Sequence, residues 1–192
     1  MDLSVIAPCH NEEANVKLFY DLCNNTFKDL KVEYIFIDDG SSDNTWNEIK
    51  KLTKESKDII SIRFSKNYGK ESAMLAGLRN ASGKYCCFID TDLQQHPKYV
   101  VEMLEFLKNN SDFDSAACYP QKRKDNKLLG FIKKIFYKLI NKISDVPLYE
   151  NASDFRVFKS EVKDALLALP EYYRFSKGIF SWIGFNTYYM PY

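Results

Sequence analysis

Short apolar runs alternate with longer amphipathic stretches over the first two thirds of the chain, and this alternation sets the expected architecture. Leu3-Ser4-Val5-Ile6-Ala7 reads as a buried strand, and Asn11 to about Cys23 follows as a helix. Val32 to Ile37 is a second strand, stopped by the polar run Asp38-Asp39-Gly40-Ser41-Ser42; Asp43 or Ser42 then caps a helix reaching to about Glu55. Ile59 to Phe64 forms a third strand. Glu71 to about Asn80 is a helix closed by Ala81-Ser82-Gly83, glycine being common just past a helix end. Tyr85 to Ile89 is nearly continuous in apolar residues, as a strand covered on both faces is. Pro97 sits just inside the next helix, which runs to about Asn109, and Asp114 to Cys118 makes a fifth strand. This order predicts an α/β fold, a mostly parallel sheet flanked by helices.

Ligands of such sheets bind beyond the carboxyl ends of the strands. Three polar clusters fall there: Pro8-Cys9-His10-Asn11-Glu12 after strand one, Asp38-Asp39-Gly40-Ser41 after strand two, and Asp90-Thr91-Asp92 after strand four. In extended backbone, residues two apart point the same way, so Asp90 and Asp92 face one small volume. Two carboxylates that close repel unless a cation or shared proton intervenes, and oxygen donors with open positions suit Mg²⁺ or Mn²⁺. The same tripeptide also serves as a turn before the helix near Pro97. The acidic run at Asp38–Asp43 is either a capped strand-to-helix loop or a surface offering a carboxylate, Ser41 and backbone amides to a base or ribose. No GxGxxG or GxxxxGK[ST] pattern occurs, so neither a dinucleotide fold nor a P-loop is supported.

Composition narrows the class. At 192 residues, 45% hydrophobic and 28% charged, the chain is long enough for one globular domain and is neither disordered nor fibrous. Its 27 Lys and Arg almost cancel its 26 Asp and Glu, which removes any global field drawing it to nucleic acid. No apolar run reaches the ~18 residues of a membrane span, and no signal-peptide pattern opens the chain. The five cysteines are odd in number and irregularly spaced, without a CxxC pair for zinc, and read as reduced thiols of a cytoplasmic protein. His10 and His96 are isolated and receive no metal or catalytic role.

Four motifs in order — Pro8-x-x-Asn11-Glu12, Asp38-Asp39-Gly40-Ser41-Ser42-Asp43, Asn67-Tyr68-Gly69-Lys70 and Asp90-Thr91-Asp92-Leu93-Gln94 — resemble those of family 2 inverting glycosyltransferases with the GT-A fold. Asp154-Phe155-Arg156 and Arg174-Phe175-Ser176-Lys177-Gly178, followed by Trp182-Ile183-Gly184-Phe185, are similar to the polyprenyl-phosphate branch of that family, which includes dolichol-phosphate mannose synthases and undecaprenyl-phosphate glucosyltransferases. The resemblance covers nearly the whole chain. It implies transfer of a hexose from a UDP- or GDP-linked sugar to a polyprenyl phosphate at the cytoplasmic face of the membrane, with Mg²⁺ or Mn²⁺ as cofactor. It also implies a nucleotide-sugar set of Pro8, Asn11, Glu12, Asp38, Asp39, Ser41, Lys70, Asp90, Arg156, Arg174 and Lys177, a metal set of Asp90, Asp92 and Gln94, and catalytic roles for Asp92 and Asp154. A nucleoside diphosphate leaving group needs its developing charge stabilised, which a divalent cation does. An anionic acceptor needs positive charge to approach the donor, more than it needs a general base.

The last third supplies that charge. At ~100° per residue, Leu128, Ile132, Ile135, Phe136, Leu139, Ile140 and Ile143 form one apolar face opposite Lys127, Lys134, Lys138 and Lys142. This basic amphipathic helix either lies on an anionic membrane surface or packs on the core with its lysines solvated. Relatives in the branch carry an Arg-x-x-Arg pair after strand five and a serine entering this helix. Here Pro120 and Lys133 take the first Arg and the Ser positions, leaving Arg123, Lys124, Lys133 and Lys134 as acceptor-phosphate candidates. Asp154-Phe155-Arg156 is expected to return to the sheet edge, either as a buried Asp–Arg pair or with Asp154 near the acceptor and Arg156 near phosphate. The aromatic stretch from Tyr172 to Tyr192 suits a bilayer boundary or simple core packing.

The expected organisation is a single catalytic domain, with residues 1–118 binding the donor and residues 119–192 facing the acceptor, a fragment of a membrane-anchored protein whose sequence is compatible with a homo-oligomer. The alternatives are the same chemistry on a soluble or glycan acceptor, and a nucleotide-sugar-binding subunit without catalysis. A nucleotidyltransferase is disfavoured, because the Gly-rich basic N-terminal loop it needs is missing.

Overall fold

The computed structural model describes residues 1–120, 153–170 and 176–192, with 176 and 177 described by backbone alone. Seven strands form one sheet: β1 (Leu3–Cys9), β2 (Val32–Asp38), β3 (Ile59–Arg63), β4 (Tyr85–Phe88), β5 (Ser115–Tyr119), β6 (Arg156–Lys159) and β7 (Thr187–Pro191). Their spatial order is β3-β2-β1-β4-β6-β5-β7. The first four run parallel, β6 pairs antiparallel with both β4 and β5, and β7 runs parallel to β5. One reversed strand therefore lies inside an otherwise parallel sheet. Asp154-Phe155-Arg156 leads into that strand, so this motif returns to the middle of the sheet and not to its edge as the sequence suggested.

Period-two alternation divides the core. On β1 and β2, Leu3, Val5, Ala7, Tyr34 and Phe36 face one layer, made with α1 (Val16–Thr26), α2 (Thr45–Glu55) and α4 (Lys98–Asn109). Ile6, Ile35 and Ile37 face the other, made with α3 (Lys70–Asn80), α5 (Ser160–Ala168) and α6 (Ser176–Trp182). Both faces are covered, which is why these strands read as continuous apolar runs.

The expected elements are present, and their ends differ for local reasons. The first helix starts five residues later than the sequence suggested, because Asn11 adopts a left-handed conformation (φ 57°) and a turn at 13–15 precedes Val16. Pro97 precedes its helix instead of opening it, and α2 begins at Thr45, whose N–H donates to Asp43 Oδ1 at 3.0 Å. Gly83 does not cap α3: the helix ends at an extended Ala81, and Gly83 is small because a Cβ there would lie 2.7 Å from the backbone N of Ser4. The aromatic residues near the C-terminal end mostly pack inward. Tyr188 stacks on Phe106 at 3.8 Å, and Phe180 meets Phe88 and Phe158, whereas Trp182 on α6 is 62% exposed. The basic helix expected over 128–143 lies outside the described residues, and among those described no helix is long and apolar enough to cross a membrane.

Candidate functional site

The carboxyl ends of β1, β2 and β4 open onto one cavity of about 330 Å³ lined by Pro8, Cys9, His10, Glu12, Asp39, Asn67, Gly69, Lys70, Asp90, Thr91 and Asp92. Every cluster singled out at the strand ends contributes to it. The chain turns at Thr91-Asp92 instead of staying extended, and the turn sets Asp90, Thr91 and Asp92 all on the cavity, with the largely buried Thr91 hydroxyl 3.4 Å from the Pro8 carbonyl.

Asp90 is held from two sides. Gln95 Oε1 accepts from the Asp90 N–H at 3.0 Å, and Gln95 Nε2 donates to Asp90 Oδ2 at 2.9 Å. Lys70 Nζ approaches the same carboxylate at 2.6 Å and lies 3.6 Å from Asp154 Oδ2. Lys70 thus stands between two carboxylates from different strands. The β4–β6 register explains the meeting: Phe88 pairs with Arg156, and continuing the antiparallel run two residues brings Asp90 opposite Asp154. Burial opposes the Lys70 charge, but Asp90 and then Asp154 outweigh it and raise its pKa above the ordinary lysine value.

The first loop is tied to the second by reciprocal contacts. The Asn11 N–H donates to Ser41 Oγ at 3.0 Å, Asn11 Oδ1 accepts from the Ser42 N–H at 2.9 Å, and the Glu12 N–H donates to Thr45 Oγ1 at 2.7 Å. Asp39 holds the third loop, its carboxylate accepting from the N–H groups of Tyr68 (2.7 Å) and Gly69 (2.9 Å). Gly40 makes this packing possible. It has a φ of 65°, and a Cβ would fall 2.3 Å from the Lys66 carbonyl carbon. Asp43, between Thr45 and the Glu13 N–H, loses some solvation through burial, yet the hydrogen bonds it accepts hold its pKa below the ordinary carboxylate value.

Not every expected residue reaches the cavity. Asp38 is fully buried, accepts from the Ser41 N–H at 3.0 Å and lies 3.2 Å from Arg63 Nε, so its carboxylate organises the loop and does not face a ligand. Ser41 and Asn11 are likewise occupied by loop contacts. Gln94 is exposed and absent from the lining; its backbone N–H donates to Asp92 Oδ1 at 3.0 Å, while the neighbouring Gln95, unmarked in the sequence reading, grips Asp90. Arg156 is 2% exposed, stacked 3.9 Å over the Phe180 ring with one donor on the Ser153 carbonyl at 3.0 Å. Burial pushes its pKa below the ordinary arginine value against the attraction of Asp154. Arg123, Lys124, Lys133, Lys134 and Arg174 lie outside the described residues, as does the side chain of Lys177.

His10, which the sequence left without a role, sits in the cleft wall with Nδ1 2.9 Å from the Asp39 carbonyl oxygen. Cys9 also lines the cavity, but burial pushes its thiol well above its ordinary pKa, and it carries no nucleophilic chemistry. All five cysteines are free and buried.

Among the described residues no three His, Cys, Asp or Glu side chains form a self-sufficient metal site. The donor set that exists, Asp90 and Asp92 on one cavity, is two hard oxygen ligands with room beside them. That is the arrangement Mg²⁺ and Mn²⁺ use when substrate phosphates complete the shell, so the residues present fit such an ion.

Comparison with known proteins bears directly on this site. The model of "Glycosyl transferase family 2" matches residues 4–167. A putative glycosyltransferase CsbB of Bacillus subtilis is 38% identical over 187 residues, 96% of this chain and 56% of that protein. A bactoprenol glucosyl transferase of Shigella phage SfV is 38% identical over 194 residues, 97% of this chain and 61% of that one. The chain therefore spans a little over half the length of these curated relatives. Among solved structures, a mannosyltransferase of Pyrobaculum calidifontis in complex with GDP-Man and Mn²⁺ superimposes with a TM-score of 0.69 at 17% identity, covering 98% of this chain and 54% of that one. The glucosyl-3-phosphoglycerate synthase of Mycobacterium tuberculosis in complex with Mn²⁺, UDP and phosphoglyceric acid gives 0.67 at 20% identity, covering 99% and 68%. The fold is thus of the GT-A type. With the family model spanning most of the sequence and such relatives matching nearly all of it, this chain belongs to glycosyl transferase family 2.

Proposed function

We propose that the chain carries the catalytic site of a divalent-metal-dependent, inverting glycosyltransferase that moves a hexose from a nucleoside diphosphate sugar to a polyprenyl phosphate at the cytoplasmic face of a membrane. The observation that carries this reading is the convergence of Asp90, Asp92 and Lys70 on one cavity beyond the strand ends, walled by loops that hold one another. The bactoprenol glucosyl transferases among its relatives support the lipid acceptor, and the Mn²⁺ complexes among its structural neighbours support the metal.

In this reading the three loops at Pro8–Glu12, Asp39 and Asn67–Gly69 take the nucleoside. Asp90 and Asp92 hold the cation, which when bound offsets the charge of the departing diphosphate. Lys70 keeps Asp90 and Asp154 from repelling each other. Asp154 lies on the acceptor side, where the reversed strand brings it across from Asp90. Residues 1–118 serve the donor and residues 119–192 the acceptor, with Arg123, Lys124, Lys133, Lys134, Arg174 and Lys177 as the proposed cationic partners of the two phosphate groups.

A thermal-shift screen of UDP- and GDP-sugars with and without Mn²⁺ tests the donor side, because stabilisation grows with ligand concentration over Kd. Labelled sugar from the donor that shifts the melt, incubated with polyprenyl phosphate, should then partition into the organic phase. Asp92→Asn should cut transfer by at least about a hundredfold, as loss of a group stabilising transition-state charge does. Undiminished transfer in that variant refutes the metal assignment, and label confined to water refutes the lipid acceptor.

A further inference from the structure

Three hydrogen bonds around His10 determine which of its ring nitrogens carries the proton. Nδ1 faces the Asp39 carbonyl oxygen at 2.9 Å, and an oxygen with only lone pairs requires N–H there. Nε2 faces two side-chain amide nitrogens, Asn67 Nδ2 at 3.2 Å and Asn11 Nδ2 at 3.3 Å. Neither amide can turn its oxygen toward the ring without a loss. Asn67 Oδ1 accepts from the Gly69 N–H at 3.0 Å, a donor it shares with Asp39 Oδ2, and Asn11 Oδ1 accepts from the Ser42 N–H at 2.9 Å and the Ser42 hydroxyl at 3.2 Å. Both amides are therefore held as donors, and Nε2 must present a lone pair.

We infer that His10, as the neutral Nδ1–H tautomer, is the positioning residue that locks the three loops of the nucleotide wall into one surface, and that protonating it opens that wall and weakens donor binding. The ring, on the first loop beside Asn11, joins that loop to the second through the Asp39 carbonyl and to the third through Asn67. A proton on Nε2 would set three donors against one another. The amides of Asn67 and Asn11 would then have to turn, leaving the Gly69 N–H to Asp39 alone and abandoning the Ser42 N–H. Charges on every facing element bear on the ring: Glu12 on its own loop, Asp39 from the second, Lys66 and Lys70 beside Asn67, and Asp90 and Asp92 from the end of β4. The carboxylates attract an imidazolium, whereas Lys70 and the two amides oppose it.

The inference rests on the nucleotide-sugar reading of the cavity for its consequence, but the tautomer is tested without any ligand. Long-range ¹H–¹⁵N spectra of the labelled chain, with His10 assigned by its absence in His10→Gln, should show the Nδ1–H tautomer at pH 8; an Nε2–H tautomer overturns the inference. Calorimetric titration with the nucleotide sugar identified by the screen, whose diphosphate is doubly esterified and does not itself titrate in this range, supplies the second test. The wild-type Kd should rise about tenfold between pH 8 and pH 5.5, two hydrogen bonds being at stake. His10→Gln, which keeps a donor and an acceptor but cannot titrate, should give a Kd that stays flat with pH, whatever its value at pH 8. Parallel pH profiles for the two proteins overturn the role of His10. Absence of binding by any nucleotide sugar refutes the reading of the cavity instead, and the tautomer spectrum still decides the state of the ring.

Discussion

The two sides of the cavity are built differently. On the side of β1 and β2, most loop groups answer one another: Asp39 takes two backbone N–H groups, Asn11 and Ser41–Ser42 exchange donors and acceptors, and His10 closes the set. The exception is the buried Asp38 Oδ2, which has no hydrogen bond among the described residues and lies 3.2 Å from Arg63 Nε. On the side of β6, Asp154 Oδ1 and Arg156 Nε are buried and lack hydrogen-bond partners among the described residues, and one carboxylate, Asp90, shares its lysine with Asp154. A satisfied network is rigid, and a buried polar atom without a partner carries a cost. The contrast indicates loops after β1 and β2 that are largely preorganised before any ligand arrives and a β6 side whose polar groups are not completed within the described residues.

Substitutions on the two sides should separate binding from turnover. The largest expected effect is on the acceptor side: Asp154→Asn should lower kcat about a hundredfold or more while leaving donor Kd within twofold, as measured by single-turnover kinetics beside calorimetry. A donor-affinity loss equal to the kcat loss would erase the distinction between the sides. Next comes Asp39→Asn, which strips two N–H groups of their charged acceptor. It should cost about 1–3 kcal/mol in urea unfolding and weaken donor binding more than tenfold. Arg156→Met is the sharper test of the unpartnered side. It loses a cation–π contact and one hydrogen bond but also removes a buried, incompletely paired charge, so stability should move by less than about 1 kcal/mol. A loss of several kcal/mol would show that the guanidinium is fully paired.

The smallest effect is on pH dependence. The Asp43 carboxyl is held below its ordinary pKa, so its contribution is complete above the usual carboxylate range and is lost as pH falls through the lowered folded value. The urea midpoints of wild type and Asp43→Asn should therefore differ at pH 6 and converge on acidification toward pH 3. Constant separation would mean that Asp43 acts through shape alone.

Much of the cavity was legible in the sequence because its residues are local. Asp90 and Asp92 stand together because they are two residues apart at a strand end, although a turn and not extended chain sets them on the cavity, and the strand-end position of Pro8–Glu12 and Asp39 follows from a parallel α/β pattern. The roles of the neighbours were not legible. Leu93 takes a left-handed conformation (φ 62°), which turns Gln95, not Gln94, back onto Asp90. Nothing in Asp38-Asp39 distinguishes the two acids, yet strand alternation buries the first against Arg63 and leaves the second at the cavity. Arg156 was read either as a buried partner of Asp154 or as a phosphate contact, and the reversed strand places it, buried, against the Phe180 ring.

The amino-acid sequence by itself determined the alternation of strands and helices, the two-faced core and the placement of acids at strand ends, since each depends on spacing along a few neighbouring residues. Tertiary structure decided that the Asp154 segment runs antiparallel in mid-sheet, that Lys70 joins Asp90 to an aspartate 64 residues further along the chain, and that an unremarkable His10 ties its own loop to the other two. Those contacts depend on strand order and on loop backbones with positive φ, which are settled only when distant segments pack against each other.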